Sequence, residues 1–198
     1  MKPSLPALLL LSLPLAGCIS LGSEPPKELL TLTASASPEA GRTLTAKSGE
    51  TITILTPALP QALATGRIPV QSGATAIAFV KDAQWVEAPN RLFQRLLSDT
   101  IEARSGRSVL SPRQFALDPG IRVSGELSRF DVDEGSRTVI VRYEASIARD
   151  DSVETRRFEA RAPVAAIEAR SVSAALNQAA NQVAAEASDW ITGATPAQ

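Results

Sequence analysis

Polar and apolar residues alternate along several stretches of the chain and recur at helical spacing in two others. Thr51 to Leu55 (TITIL) sets β-branched polar residues against apolar ones, which predicts a half-buried strand. Pro57 and Pro60 close it, because neither can donate to a ladder. Leu29 to Leu32 predicts a short earlier strand. Ile68 to Val70 and Ala76 to Val80 predict two more, separated by a turn at Ser72-Gly73. The period then changes. Leu92, Phe93, Leu96, Leu97 and Ile101 recur on one helical face behind Pro89, which suits a first turn, and Gly106 is placed to cap the end. Arg91, Arg95, Asp99 and Glu102 take much of the remaining surface of that helix.

Three longer strands follow. Ile121 to Phe130 alternates with a phase shift before Phe130 that predicts a bulge. Thr138 to Ala148 places Val139, Val141, Tyr143, Ala145 and Ile147 on one side, and Val153 to Ala162 continues the meander. Turns are expected at 133–136 and at 150–152. A long helix from about Ser171 to Ile191 carries the stripe Val172, Leu176, Ala179, Val183, Ala187 and Trp190, and Gly193 ends it. The order predicts an α/β fold: a single layered domain whose mixed, mostly antiparallel sheet is packed by two main helices.

The first residues change the picture from a free domain to a tethered one. Lys2 and the apolar run Leu5 to Ala16 have the flanks and length of a secretory leader, too short to span a bilayer, which takes about 20 apolar residues. Leu15-Ala16-Gly17-Cys18 then resembles a bacterial lipobox, and Cys18 is the only cysteine of the chain. Acylation of Cys18 would consume the odd thiol and anchor the domain without a transmembrane helix. Ile19, standing where an Asp retains lipoproteins in the inner membrane of enterobacteria, favours the outer membrane. The expected division is a leader at 1–17, the lipidated Cys18 and a flexible tether with a short first strand at 18–48, an α/β domain at 49–192 and a tail at 193–198.

Composition narrows the chemistry. The chain contains no His, which removes Ser-His-Asp triads, His-ligated zinc and imidazole pH switches. A formal charge of −1 and a pI of about 5.6 give no field that would steer nucleic acid. No phosphate-binding, dinucleotide or nucleophile motif occurs, so no cofactor and no catalytic residue is assigned. Asp131, Asp133 and Glu134 lack the spacing, fixed Gly and closing Glu of a calcium loop, and they read as a solvated turn, as do Asp150 and Asp151. Arg156 and Arg157 read as charge guarding an edge strand, with phosphate head-group binding as the alternative. Trp85, just ahead of the first helix, has two readings: a core anchor at the strand-to-helix junction, or a contact for a ligand or partner.

The ordered set of these features resembles the ABC-type transport auxiliary lipoproteins, which include PqiC-like partners of mammalian-cell-entry (MCE) lipid-transport systems. The residues that carry the resemblance are the lipobox, Leu30-Thr31-Leu32, Pro57-Ala58-Leu59-Pro60 with Leu63, and Arg67-Ile68-Pro69-Val70. Trp85 through Leu97, Val123 to Val132, Phe158-Glu159 and the helix ending at Trp190 continue the match. Leu29 and Leu30 stand where the family has an aromatic pair, and Pro69 interrupts the strand after Ile68. The resemblance implies a periplasmic accessory, anchored by Cys18, of a transporter moving lipids or other hydrophobic compounds. The ATPase, permease and MCE subunits would be separate partner chains, and this chain would act by docking and self-association, without catalysis. The competing expectation is a structural lipoprotein of outer-envelope assembly that transports nothing.

Overall fold

The computed structural model describes residues 28–47, 49–114, 120–149 and 152–193. Its strands are β1 (Ile52–Ile54), β2 (Arg67–Ser72), β3 (Ala76–Gln84), β4 (Val109–Leu110), β5 (Ile121–Asp133), β6 (Thr138–Arg149) and β7 (Ser152–Pro163). Two helices, α1 (Pro89–Ser105) and α2 (Ala169–Thr192), complete the α/β fold. β5 is the hub of one mixed sheet. On one side it pairs antiparallel with β6, which in turn pairs with β7. On the other side β1 lies parallel to the start of β5 and β2 parallel to its end. β4 extends the sheet beyond β1, and β3 extends it antiparallel beyond β2.

The period-two pattern decides which face is covered. Val139, Val141, Tyr143, Ala145 and Ile147 of β6 are all buried, while Arg142, Glu144 and Ser146 between them face away from the helices. The rings register this layering: Phe93 of α1 lies 5.0 Å from Tyr143, and Trp190 of α2 lies 5.8 Å from Phe158 of β7. β5 keeps the same sense across its irregularity, because the register shifts between Leu127 and Arg129 and returns Phe130 to the buried face. The bulge expected before Phe130 is therefore present, and it conserves the core.

Glycine is required at two points of this fold, one in the sheet and one at the end of α1. A Cβ on Gly125 of β5 would come within 2.2 Å of the Glu144 carbonyl oxygen and 2.7 Å of the Tyr143 ring, so its absence lets that ring lie flat across β5. Gly106 adopts φ 68° and caps α1 with its N–H on the Glu102 carbonyl.

Several expected elements differ in extent. The strand expected at Leu29 to Leu32 contracts to one parallel bridge, Leu30 with Trp85, because the chain then leaves the sheet for α2. β3 runs on to Gln84, and β5 to Asp133. The connection between β5 and β6 shifts by one residue accordingly. β4 and a 3-10 turn at Gln61–Leu63 were not foreseen. The turn expected at 150–152 lies largely outside the described residues. Pro69 does not end β2; it is buried and coincides with a register shift against β3.

Candidate docking surfaces

Trp85 follows β3 directly and begins the approach to α1. The residue is 3% exposed, its ring packs on Phe130 at 5.4 Å, and its backbone N–H donates to the Gly66 carbonyl at 2.8 Å. Leu30 lies beside it: Leu30 N–H donates to Gln84 O, and Val86 N–H donates to Leu30 O, both at 2.8 Å. The indole therefore sits inside the core, and the surface around it is made by Leu29 and Val86, each more than half exposed.

From Leu30 the chain continues as an extended strap along α2. Burial alternates strictly, with Leu30, Leu32 and Ala34 turned toward the core and Thr31, Thr33 and Ser35 outward. Two asparagines one helical turn apart replace a neighbouring strand. Asn177 Oδ1 accepts the Thr33 N–H at 2.8 Å, and Asn181 Oδ1 accepts the Ser35 N–H at 2.7 Å. Nothing in the periodicity of α2 marked them as functional. The available signal was composition: Asn is a weak helix former, and two at this spacing stand in an otherwise Ala-rich helix.

The face of the sheet away from the helices is a charge lattice. The Arg129 guanidinium forks onto the Asp131 carboxylate at 2.7–3.0 Å. Arg142 and Arg161 both donate to Glu159, and Arg157 donates to Glu144 at 2.8 Å. Burial works against the charge on Glu159, yet the hydrogen bonds from Arg142 and Arg161 outweigh it and hold its carboxyl below the ordinary value. Asp133 is held low by the backbone N–H and hydroxyl of Ser136, and Glu134 accepts from the Ser72 hydroxyl. The acidic residues of this hairpin thus serve an arginine, a turn and a neighbouring strand separately. Arg156 lies 5.2 Å over the Phe158 ring on the other face of β7. Asp150, Asp151 and Cys18 lie outside the described residues.

A groove of ≈750 Å³ runs beside α1, between it and the segment after β4. Arg91, Gln94, Arg95, Ser98, Asp99 and Gln114 contribute to its walls. Gln94 is fixed there, donating to Ile54 O at 2.7 Å and accepting from the Thr56 hydroxyl at 2.8 Å. Burial raises the Asp99 carboxyl above its ordinary value, with Arg95 acting in the opposite sense. Such walls suit a polar segment of a partner better than an acyl chain.

The fold has crystallographic relatives. A Xanthomonas campestris protein of the DUF330 family superposes with a TM-score of 0.68 at 20% identity, over 84% of this chain and 96% of that one. A second crystal structure, titled only as an uncharacterized protein, gives 0.63 at 12% identity, over 75% of this chain and 96% of that one. No curated protein matches the chain. Residues 30–188 match the family described as the ABC-type transport auxiliary lipoprotein component. That span begins at the Leu30 bridge and closes near the end of α2, so it takes in strap, sheet and both helices, and the chain belongs to this family of transport auxiliary lipoproteins.

Proposed function

We propose that this protein is acylated at Cys18, faces the periplasm from the outer membrane, and serves an MCE-associated ABC transporter of lipids or other hydrophobic compounds. It acts by docking and assembly, without catalysis. The observation that carries this reading is a lipobox cysteine placed a short chain ahead of a domain of the auxiliary lipoprotein family. The surfaces agree with it in kind. The groove beside α1 is polar, and the open sheet face is a self-neutralised lattice of Arg and Glu, both suited to protein contacts. A partner contact at Trp85 is made through its exposed neighbours Leu29 and Val86, since the indole itself is inside.

The test is to extract the full-length tagged protein from membranes and identify what copurifies by mass spectrometry. An ABC ATPase, a permease or an MCE protein is the expected recovery. Recovery of an outer-membrane β-barrel or a cell-wall protein alone would replace the transport reading with envelope assembly.

A further inference from the structure

The two long outer strands of the sheet are built in opposite ways. β7 opens with Ser152, Val153, Glu154, Thr155, Arg156 and Arg157, all exposed, and its charges make an unwelcome template for another strand. β3 has no such guard before Lys81. From Ser72 to Val80 the sequence (SGATAIAFV) carries no charge and no proline, and Thr75, Ile77, Phe79 and Val80 are its strand-forming residues. Among the described residues β3 pairs with β2 alone, apart from the Leu30 N–H that reaches Gln84 at its far end. Asp82, at φ 53°, breaks the regular backbone before that point, so the open edge is Ala76 to Lys81. Ala76, Ile77 and Ala78 are exposed there, Ile77 by 50%.

Ile77 and Phe79 share the face of the sheet opposite the helices. Phe79 stands against Pro69 with the Arg67 guanidinium 4.2 Å over its ring, and Ile77 stands against Gln71. An edge that presents apolar side chains and carries its one charge, Lys81, at the far end is complementary to itself. Placing a two-fold axis at Ala78 and running a second β3 antiparallel sets Ile77 opposite Phe79 of the other copy, and Phe79 opposite its Ile77. Val80 then meets Ala76, Lys81 meets Thr75 and Asp82 meets Ala74, so no like charges are opposed in this register.

We propose that β3 is a dimerisation edge, which joins two copies of this chain through antiparallel pairing centred on Ala78. The contact is isologous: the same five positions, Ala76 to Val80, serve both partners, and the pairing closes on itself without leaving a third edge of the same kind. It satisfies the free backbone groups of β3 and covers Ile77 and Phe79 together.

The experiment is sedimentation velocity on the full-length chain in detergent over a wide concentration range, with charge placed at the axis. Ala78→Lys sets two ammonium groups against each other and weakens dimerisation by roughly tenfold or more, as does Ala78→Glu with two carboxylates. Mixing the two variants restores a dimer, which a folding defect in either would not do. Ile77→Ser, which adds no charge to the edge, weakens the dimer to a smaller extent. A wild-type chain that stays monomeric throughout overturns the proposal. Self-association indifferent to Ala78→Lys overturns it too, and so does an equimolar mixture no more dimeric than either variant alone.

Discussion

Asn181 holds Thr33 and Ser35 at once: its side-chain Nδ2 donates to the Thr33 carbonyl at 2.9 Å while its Oδ1 accepts the Ser35 N–H at 2.7 Å. With Asn177 taking the Thr33 N–H, the side chains of a helix reproduce the donor and acceptor pattern of a strand edge. The strap is thereby fixed in register on α2 without belonging to the sheet.

Replacing Asn181 by Ala frees both backbone groups to water and is expected to reduce stability by about 1 kcal/mol. The effect is local. Hydrogen exchange at the Ser35 amide should accelerate much more than exchange in β5 or β6. An unchanged Ser35 amide would show that Leu30, Leu32 and Ala34 alone hold the strap.

Gly125→Ala tests the close approach of Tyr143. The added methyl group has a backbone carbonyl oxygen and a ring in its way, so β5 and β6 must separate locally and the ring must shift. Overpacking of this kind costs about 2–3 kcal/mol. A urea midpoint equal to that of the wild type would mean that β5 and β6 part at this point without cost.

Tyr143→Phe goes the other way. The phenol is fully buried, burial pushes its pKa up, and among the described residues its hydroxyl has no hydrogen-bond partner. Removing the oxygen relieves an unpaired polar group, so the thermal midpoint should hold or rise. A loss above about 1 kcal/mol would reveal a partner for the hydroxyl, such as a buried water.

The charge lattice predicts an acid limb. Glu159 ionises more readily folded than unfolded, so its contribution is complete above the unfolded value near 4.5 and is lost as pH falls through the lower folded one. Asp133 acts in the same sense. Asp99, whose carboxyl is raised, has the opposite sign: its stabilising share is present at low pH and is lost as pH rises through its folded value. Urea midpoints of the wild type should therefore drop between about pH 5 and pH 3, and those of Glu159→Gln should drop less. Parallel curves for the two proteins would remove Glu159 as a source of that limb.

Sequence reading succeeded where a side chain's role is periodic. The start and end of α1 were marked by Pro89 and Gly106, the buried face of β6 by its alternation, and the bulge in β5 by the broken phase before Phe130. It failed where pairing runs between side chain and backbone. The strap carries Leu30 and Leu32 as a strand would, but its hydrogen bonds go to Asn177 and Asn181, which lie far along the chain and leave no periodic trace. β4 is two residues long and offers no alternation to read. The position of Trp85 at the junction was legible, while the ring on which it packs, Phe130, was fixed only by the parallel placement of β2 beside the end of β5.

The docking of the strap also sets the length of a leash. With the chain secured from Leu30 onward, an anchor at Cys18 leaves roughly twelve residues between lipid and domain, which span at most about 40 Å when fully extended. A tether running free to the start of β1 would allow more than twice that radius. With Cys18 acylated as proposed, the shorter leash would confine the domain to a thin shell above the bilayer, where its effective concentration toward membrane-embedded partners, and toward other copies anchored nearby, would be raised severalfold with no new contact. It would also orient the molecule, because the described chain begins beside Trp85 and an anchor there would keep that pole nearest the lipid.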